Sequence, residues 1–139
     1  MRNLNTKAIG DIGEEIAVLH LIHKGYKILE RNAEYSGVEI DVIAKDGKTL
    51  VFCEVKTRNN VAFGRPVEAV TRQKQLRYIQ GAKGYILSNR VKNTDIRFDV
   101  IEVLENEINH IKAAFFLIHK ANAAIIIVGI FAFKYPLQS

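Results

Sequence analysis

The 139-residue chain contains a single cysteine, Cys53. One cysteine excludes an internal disulfide framework and a cysteine-rich zinc site. Because Cys53 lies within an apolar run, we expect it to pack in a core and not to react. The N-terminal segment has no apolar h-region, so no secretory signal is predicted and the cytoplasm is the expected location. The sequence also has no internal repeat, low-complexity tract or interdomain linker.

The C-terminal tail lacks an apolar run long enough to cross a membrane. Its uninterrupted run, Ala123–Phe133, has 11 residues, whereas a spanning helix needs about 20. Extending it upstream would include Lys120, at a cost of about 2.5–3.5 kcal/mol for a central lysine. A membrane anchor is therefore not favoured. A buried terminal strand or helix, a surface that forms a homodimer and an aberrant extension of the reading frame are the alternatives.

Length and composition predict one folded domain. Apolar residues make up 48% and charged residues 25% of the chain, which is ordinary for a globular protein. The net charge is +5 and the isoelectric point about 9.4. These values favour an acidic polymer as partner, although net charge alone is weak evidence.

Acidic residues are scarce between Lys56 and Arg97. This segment contains ten basic residues and two acidic ones, so its net charge is +8. Such a segment could hold a phosphodiester backbone; the alternative is a solvated basic helix face. No aromatic interleaving or helix-turn-helix pattern indicates base reading, so binding by backbone and shape is expected. The candidate nucleic-acid-binding residues are Arg58, Arg65, Arg72, Lys74 and Arg77.

The stretch from Gly37 to Arg58 predicts a β-hairpin. Two β-branched, apolar runs, Val38–Ala44 and Thr49–Val55, flank an Asp-Gly pair, which is a strong hairpin turn signal. A two-residue turn centred on that pair makes Lys45 and Lys48 partners, and the residue numbers of each opposite pair then add up to 93. One face of the hairpin is then wholly apolar and is expected to be buried. It comprises Val38, Ile40, Val42, Ala44, Val51, Cys53 and Val55.

The opposite face of this hairpin carries a group of charged residues. In the predicted register Glu39 lies opposite Glu54, and Asp41 is diagonal to Glu54. Like charges placed together in a sheet are destabilising, and a bound Mg²⁺ or Mn²⁺ would remove the conflict, because hard oxygen ligands suit these ions. The alternative is a solvated sheet face on which Glu54 and Lys56 offset one another.

The remaining elements are predicted from periodicity and breakers. Ile9, Ile12, Ile16 and Leu19 recur at helical spacing in a first helix, Lys7–Lys24. Within it, Glu14 is expected to be exposed, and a metal role for His20 and His23 is disfavoured. A second helix is predicted from Thr71 to Leu87, with Val70, Leu76, Ile79 and Ala82 as inward candidates. The other predicted segments are strands Tyr26–Arg31, Asp95–Leu104 and Ile108–Ala113, and a loop, Asn59–Pro66.

Six segments, in order over roughly residues 7 to 115, carry a resemblance to a known family. They are Gly10–Glu14, Gly25–Asn32, Glu39–Ala44, Val51–Arg58, Gly64–Val70 with Lys74, and Arg97–Val100. The chain resembles the YraN-like uncharacterised family of the restriction-endonuclease-like superfamily, which is similar in fold to archaeal Holliday junction resolvases. Two departures, Val38 before Glu39 and Glu34 where an arginine is usual, leave the core motif intact. The resemblance ends near Phe115, which implies a domain over residues 1–116 and an apolar extension of unknown role over residues 117–139.

The resemblance implies roles for the residues of the motif Asp41…Glu54-Val55-Lys56, which matches the PD-(D/E)XK nuclease signature. Asp41, Glu54 and the carbonyl of Val55 would hold the metal, Lys56 would be the catalytic lysine, and Glu14 would be an added acidic site residue. The fold expected is an α/β, restriction-endonuclease-like mixed central sheet, mostly antiparallel, with flanking helices.

Two functions follow from this combination of acids, lysine and basic segment. The first is a Mg²⁺- or Mn²⁺-dependent nuclease that hydrolyses phosphodiester bonds in DNA, including branched or damaged DNA. The alternative is a non-catalytic nucleic-acid-binding module that has the nuclease fold and serves DNA repair or recombination.

Overall fold

The protein is described here by a computed structural model covering residues 6–58, 71–105 and 107–115. The predicted loop, Arg65, Val70 and the tail 117–139 lie outside these residues. Five strands and two helices occur in the described part of the chain. In order they are α1 (Thr6–His23), β1 (Lys27–Tyr35), β2 (Val38–Asp46), β3 (Thr49–Thr57), α2 (Arg72–Ser88), β4 (Ile96–Val103) and β5 (Ile108–Phe115).

The strands form one mixed sheet whose spatial order, β1-β2-β3-β4-β5, follows the chain. Strands β3 and β4 run parallel and the other neighbouring pairs are antiparallel. The parallel pair is joined by the segment containing α2, as a parallel pair requires a crossover connection. The predicted α/β fold, a mostly antiparallel mixed sheet with flanking helices, is confirmed.

Helix α1 covers one face of the sheet, but not with the residues whose spacing predicted the helix. Ile12, Ile16 and Leu19 are exposed, by 59%, 37% and 57%. The buried side of α1 instead consists of Gly13, Ala17, Val18 and Leu21, which pack on the core below. Small residues bring the helix close to the sheet: a Cβ on Gly13 would lie 1.8 Å from Thr57 Oγ1.

Helix α2 covers the opposite face, so both sides of the sheet are buried. Its inward residues include Tyr78, Ala82, Tyr85 and Ile86, packed on Phe52 and its neighbours. Of the predicted inward residues, Ala82 is buried and Ile79 partly buried, whereas Leu76 is 51% exposed. Thr71 caps the helix, its hydroxyl accepting a hydrogen bond from Lys74 N at 3.2 Å.

The hairpin register differs by two residues from the prediction. Asp46 pairs with Thr49 and Lys45 with Leu50, so the numbers of paired residues add up to 95 and not to 93. Gly47 is the first central residue of the turn and has φ +60°, the position at which a type II′ turn requires glycine. Because the shift is even, the side chains from Val42 to Cys53 keep their predicted faces, but the predicted opposition of Glu39 and Glu54 is wrong. Glu39 lies across from Glu34 of β1.

Strand β2 separates from β3 at Asp41. The last pair between them is Val42 with Cys53, and beyond it Ile40 packs against α2 together with Val38. The predicted apolar face is therefore split between the two cores. Val42, Ala44, Val51 and Cys53 lie under α1, whereas Ile40 lies under α2.

Within residues 6–58, 71–105 and 107–115, neither helix combines the length and apolar character that crossing a bilayer requires.

Candidate metal and nucleic-acid site

Asp41 lies where β2 and β3 diverge. Its Oδ2 accepts a hydrogen bond of 2.8 Å from Val55 N. In a continuous ladder that N–H would bond a carbonyl of the neighbouring strand. From the other side, Tyr78 of α2 places its hydroxyl 3.4 Å from both Asp41 N and Cys53 O. The carboxylate is therefore held at the gap between the strands.

The pKa of Asp41 is raised from its usual 3.8 to about 6. Burial is the main cause, and the negative charges of Glu54 and Glu39 add to it. The hydrogen bond from Val55 and the charge of Lys74 act in the opposite direction. A carboxylate whose ionised form is disfavoured by burial and by neighbouring acids is one that a cation would stabilise.

Glu54 is the most deeply buried acid of the group, with 3% of its surface exposed. It occupies the next position on β3 after the pair Val42–Cys53, as Asp41 does on β2. Its Oε1 forms an ion pair with Lys74 of α2. Its Oε2 is buried and has no hydrogen-bond partner among the described residues. A buried carboxylate oxygen without a donor is unfavourable and calls for a cation or water.

Lys56 follows Glu54 by two residues on β3, so both side chains leave the strand on the same side. It is half-buried and lies across from Glu102 of β4. Asp41, Glu54, Val55 and Lys56 are thus brought to one end of the hairpin, as the sequence predicted. Among the described residues Lys56 makes no ion pair with either of the two acids.

Glu14 reaches this site from α1. It is half-buried and not exposed as the helix pattern alone predicts. Its pKa is raised, first by burial and then by the charge of Asp41, with which it also shares a hydrogen bond. Asn32 of β1 is a second hydrogen-bond partner. Glu14, Asn32, Glu39 and Asp41 line an open cleft of about 780 Å³.

The donor set fits a hard divalent cation. Asp41 and Glu54 supply carboxylate oxygens, and one of these, Glu54 Oε2, is buried with no hydrogen-bond partner in the described part of the chain. Oxygen ligands are what Mg²⁺ and Mn²⁺ prefer. In the part of the chain that the structure describes, no cluster of three or more His, Cys, Asp or Glu side chains is arranged as a metal site. A cation here would therefore depend on two carboxylates completed by main-chain or water oxygens, as Mg²⁺ commonly does.

The basic candidates do not all lie on one free surface. Arg72 and Arg77 are exposed on α2, and the side chain of Lys74 is 49% exposed although it contacts Glu54. Arg58, at the end of β3, lies 3.2 Å from Oε1 of the buried Glu102 and is itself largely covered. The exposed cations of α2 are therefore the best placed to meet a phosphate backbone.

A second polar network, which sequence reasoning missed, is centred on Asp99 of β4. This fully buried carboxylate accepts two hydrogen bonds from Arg97, at 2.8 and 2.9 Å, and lies 2.8 Å from His110 Nε2. Burial acts to raise the pKa of Asp99, but the bonds from His110 and Arg97 lower it overall. His110 Nδ1 lies 3.2 Å from His20 Nε2.

The network ties α1 to the distant strand β5. The sequence features that could have indicated this network are the Arg97…Asp99 spacing and His20, but periodicity gives no reason to pair His20 with a residue 90 positions away. Helical spacing suggests His23, three residues along, as the neighbour of His20, whereas the residue that His20 contacts is His110. Its partner becomes apparent only when β5 is placed beside β4.

The sequence model of the uncharacterised protein family UPF0102 matches residues 13–103. A UPF0102 protein of Clostridioides difficile is 50% identical over 114 residues, which cover 81% of this chain and 100% of the relative. A UPF0102 protein of Caldanaerobacter subterraneus is 45% identical over 122 residues, covering 83% and 100%. One of Alkaliphilus oremlandii is 48% identical over 115 residues, covering 78% and 98%.

Proposed function

The chain belongs to the uncharacterised protein family UPF0102, and we propose that this member is a Mg²⁺-dependent nuclease of the PD-(D/E)XK superfamily that acts on DNA. Membership confirms the family expected from the sequence. The observation that carries the proposal is the buried Glu54, whose Oε2 has no hydrogen-bond partner among the described residues, beside Asp41, whose pKa is raised. Two acids gathered at a strand gap weaken the fold unless a cation joins them.

Asp41, Glu54 and the backbone carbonyl of Val55 would hold Mg²⁺ or Mn²⁺. When bound, the metal supplies Lewis-acid chemistry and lowers the pKa of a coordinated water. Lys56, on the same side of β3 as Glu54, would orient the attacking water or help to deprotonate it. Its cationic form would stabilise charge that develops on the phosphate. Glu14 would add an acceptor from α1 at the same cleft.

Exposed Arg72 and Arg77 of α2, with Lys74 between them, support a role in holding the phosphate backbone. Contacts of this kind position a nucleic acid without reading its sequence. The ion pair between Lys74 and Glu54 brings the first turn of α2 beside the acidic site, an arrangement that suits phosphodiester hydrolysis. DNA that is branched or damaged is the substrate class we favour.

A non-catalytic nucleic-acid-binding module with the same fold is the second candidate, serving DNA repair or recombination. The ion pair between Lys74 and Glu54 favours it, because an ammonium already offsets part of the buried negative charge without a metal. In such a module the hairpin acids would be structural and the cations of α2 would provide the function.

A cleavage assay on single-stranded, duplex, flap and four-way DNA, with Mg²⁺, Mn²⁺ or EDTA, separates the two candidates. The nuclease proposal expects metal-dependent products from at least one substrate, and none with EDTA. Purified Asp41→Asn protein is the control for contaminating nucleases and should be inactive. Binding to these substrates without any metal-dependent cleavage would favour the binding module.

A further inference from the structure

Lys74 and Glu54 form an ion pair between partners of very different exposure. The Lys74 side chain is 49% exposed, whereas the Glu54 side chain is 4% exposed. The ammonium therefore enters from solvent and neutralises a carboxylate that cannot reach solvent. Lys74 also lowers the pKa of Asp41 through its charge, so one lysine acts on both candidate metal ligands.

The base of Lys74 is fixed, and its end has freedom to move. Thr71 caps the helix through Lys74 N. Gln75 and Tyr78, in the first two turns of α2, are buried, and the Tyr78 hydroxyl contacts the backbone of β2 and β3. The four-carbon side chain of lysine ends in an ammonium that can leave Glu54 for solvent without moving this backbone.

An ammonium and a divalent cation compete for a carboxylate. Glu54 Oε1 is held by Lys74, and within residues 6–58, 71–105 and 107–115 its Oε2 has no hydrogen-bond partner. A cation bound at Glu54 would lie close to the ammonium, and like charges at short range repel strongly where water is largely excluded. The site therefore accommodates the metal fully only when Lys74 has moved away.

We propose that Lys74 is an exchangeable cation that couples nucleic-acid binding to metal binding at this site. Without nucleic acid it pairs with Glu54 and weakens metal binding. A phosphate held by Arg72 and Arg77 on the same helix offers Lys74 another anion, and its departure frees Glu54. The inference rests on the proposed function, which it extends by assigning this lysine a regulatory role at the metal site.

Linkage makes this proposal quantitative. If nucleic acid tightens metal binding by a given factor, the metal tightens nucleic-acid binding by the same factor, and coupled sites typically show about 5- to 150-fold. Replacing Lys74 with an uncharged residue should remove most of this coupling. It should also tighten metal binding in the absence of DNA, because the competing charge is gone.

The test measures Mn²⁺ affinity by electron paramagnetic resonance and calorimetry, with and without a short DNA duplex. All proteins carry Lys56→Ala so that the duplex stays intact. Lys74→Gln removes the charge, Lys74→Arg retains it, and Lys83→Gln is a matched control because Lys83 is exposed on the same helix. Circular dichroism verifies that each variant is folded.

The expected result is Mn²⁺ binding about tenfold tighter in Lys74→Gln than in the Lys56→Ala parent without DNA. The duplex should tighten Mn²⁺ binding in the parent, Lys74→Arg and Lys83→Gln, but hardly in Lys74→Gln. Equal Mn²⁺ affinity and equal coupling in all four proteins would overturn the exchange while leaving the metal site intact. Absence of Mn²⁺ binding in every protein would overturn both the exchange and the proposed metal-dependent function.

Discussion

Asp41 Oδ2 is joined to Val55 N by a 2.8 Å hydrogen bond across the gap between β2 and β3. The bond fixes the carboxylate of one strand relative to the strand that carries Glu54 and Lys56. Because the pairing of the two strands ends immediately before this point, the bond replaces a ladder contact. The same divergence that opens the sheet positions the acids.

Metal binding should stabilise the folded protein through Asp41. A ligand at ten times its dissociation constant adds about 1.4 kcal/mol, which corresponds to about 4–7 °C in Tm for a domain of this size. We expect a rise of this order with millimolar Mg²⁺ or Mn²⁺, measured by calorimetry, and none in Asp41→Asn. Asp95→Asn alters an exposed acid outside the site, so its Tm should rise with metal as much as that of the wild type. An equal shift in both variants would place the metal away from Asp41.

The metal-free protein should lose stability through Asp41 as the pH rises. Its pKa is about 6 in the folded state, against a usual 3.8, so the folded state holds the proton more tightly. The contribution of Asp41 to stability is therefore fully present below about pH 3.8 and is lost as the pH rises through 6. Asn lacks this titration and can still accept the hydrogen bond from Val55.

The Tm of Asp41→Asn minus that of the wild type, in EDTA, should consequently be more positive at pH 7.5 than at pH 4.5. Groups remote from Asp41 titrate alike in both proteins and cancel in the difference. Glu14, whose pKa is raised by burial and by the charge of Asp41, adds to the difference in the same direction. The comparison is made by thermal unfolding at the two pH values. A difference that stays constant, or falls with pH, would contradict the raised pKa.

From Val42 to Cys53 the faces of the hairpin were predictable from sequence, but the partners across it were not. Ile40, which precedes this stretch, lies under α2 and not on the face predicted for it. Side chains alternate with a period of two, so a register error of two residues leaves every face unchanged. The Asp46-Gly47 pair signals a hairpin but does not decide whether the turn is centred on it or on Gly47-Lys48. The end of the pairing at Asp41 was not predictable either, because it depends on α1 and α2 packing on opposite faces.

Helix α1 illustrates a different difficulty. An apolar stripe at helical spacing predicts the helix correctly, yet Ile12 and Leu19 of that stripe are exposed. The buried side is marked by small residues, because Gly13 and Ala17 allow a closer approach to the sheet. Spacing alone carries no information on which of two faces with apolar residues a neighbouring sheet will select.

Gly13 should tolerate no side chain, whereas Gly10 should. A Cβ at Gly13 would lie 1.8 Å from Thr57 Oγ1, and one at Gly10 would meet nothing within 4 Å. Gly13→Ala should destabilise the fold by about 1–3 kcal/mol, and Gly10→Ala should stabilise it by about 0.4–1 kcal/mol. Urea unfolding measures both. Thr57→Ala, by removing Oγ1, should recover part of the loss in Gly13→Ala; equal effects at the two glycines would refute the close contact.

DNA affinity should depend steeply on salt through the exposed cations of α2. Each phosphate contact contributes about 0.9 to the slope of log K against log salt for duplex DNA. Arg72→Glu with Arg77→Glu should therefore lower the slope by about 1.8 or more and weaken binding to all sequences alike. The control is the double variant Lys27→Glu with Lys48→Glu, which changes the net charge by the same amount at sites near the hairpin turn. Its slope of log K against log salt should stay close to that of the wild type. Fluorescence anisotropy titrations that show no difference would place the interface elsewhere.

Glu54→Gln and Lys56→Ala separate the two proposed functions. Glu54→Gln retains the size of the side chain but removes the charge that would hold the metal, and Lys56→Ala removes the ammonium without altering a ligand. If the protein is a nuclease, both variants should bind DNA, with Glu54→Gln binding as well or better in EDTA because one repulsive charge is absent. Both should lose cleavage by about 10²-fold or more, which is the lower end of what one positioned group contributes.

Glu34→Gln and Lys48→Ala serve as matched controls, since Glu34 is an exposed glutamate on β1 and Lys48 is an exposed lysine in the turn between β2 and β3. They should cleave like the wild type under single-turnover conditions. If the protein is a binding module, no variant will show metal-dependent cleavage, and all will differ only slightly in affinity. Cleavage that survives in both Glu54→Gln and Lys56→Ala would mean that the hairpin acids are structural, because neither the charge nor the ammonium would then take part in the reaction.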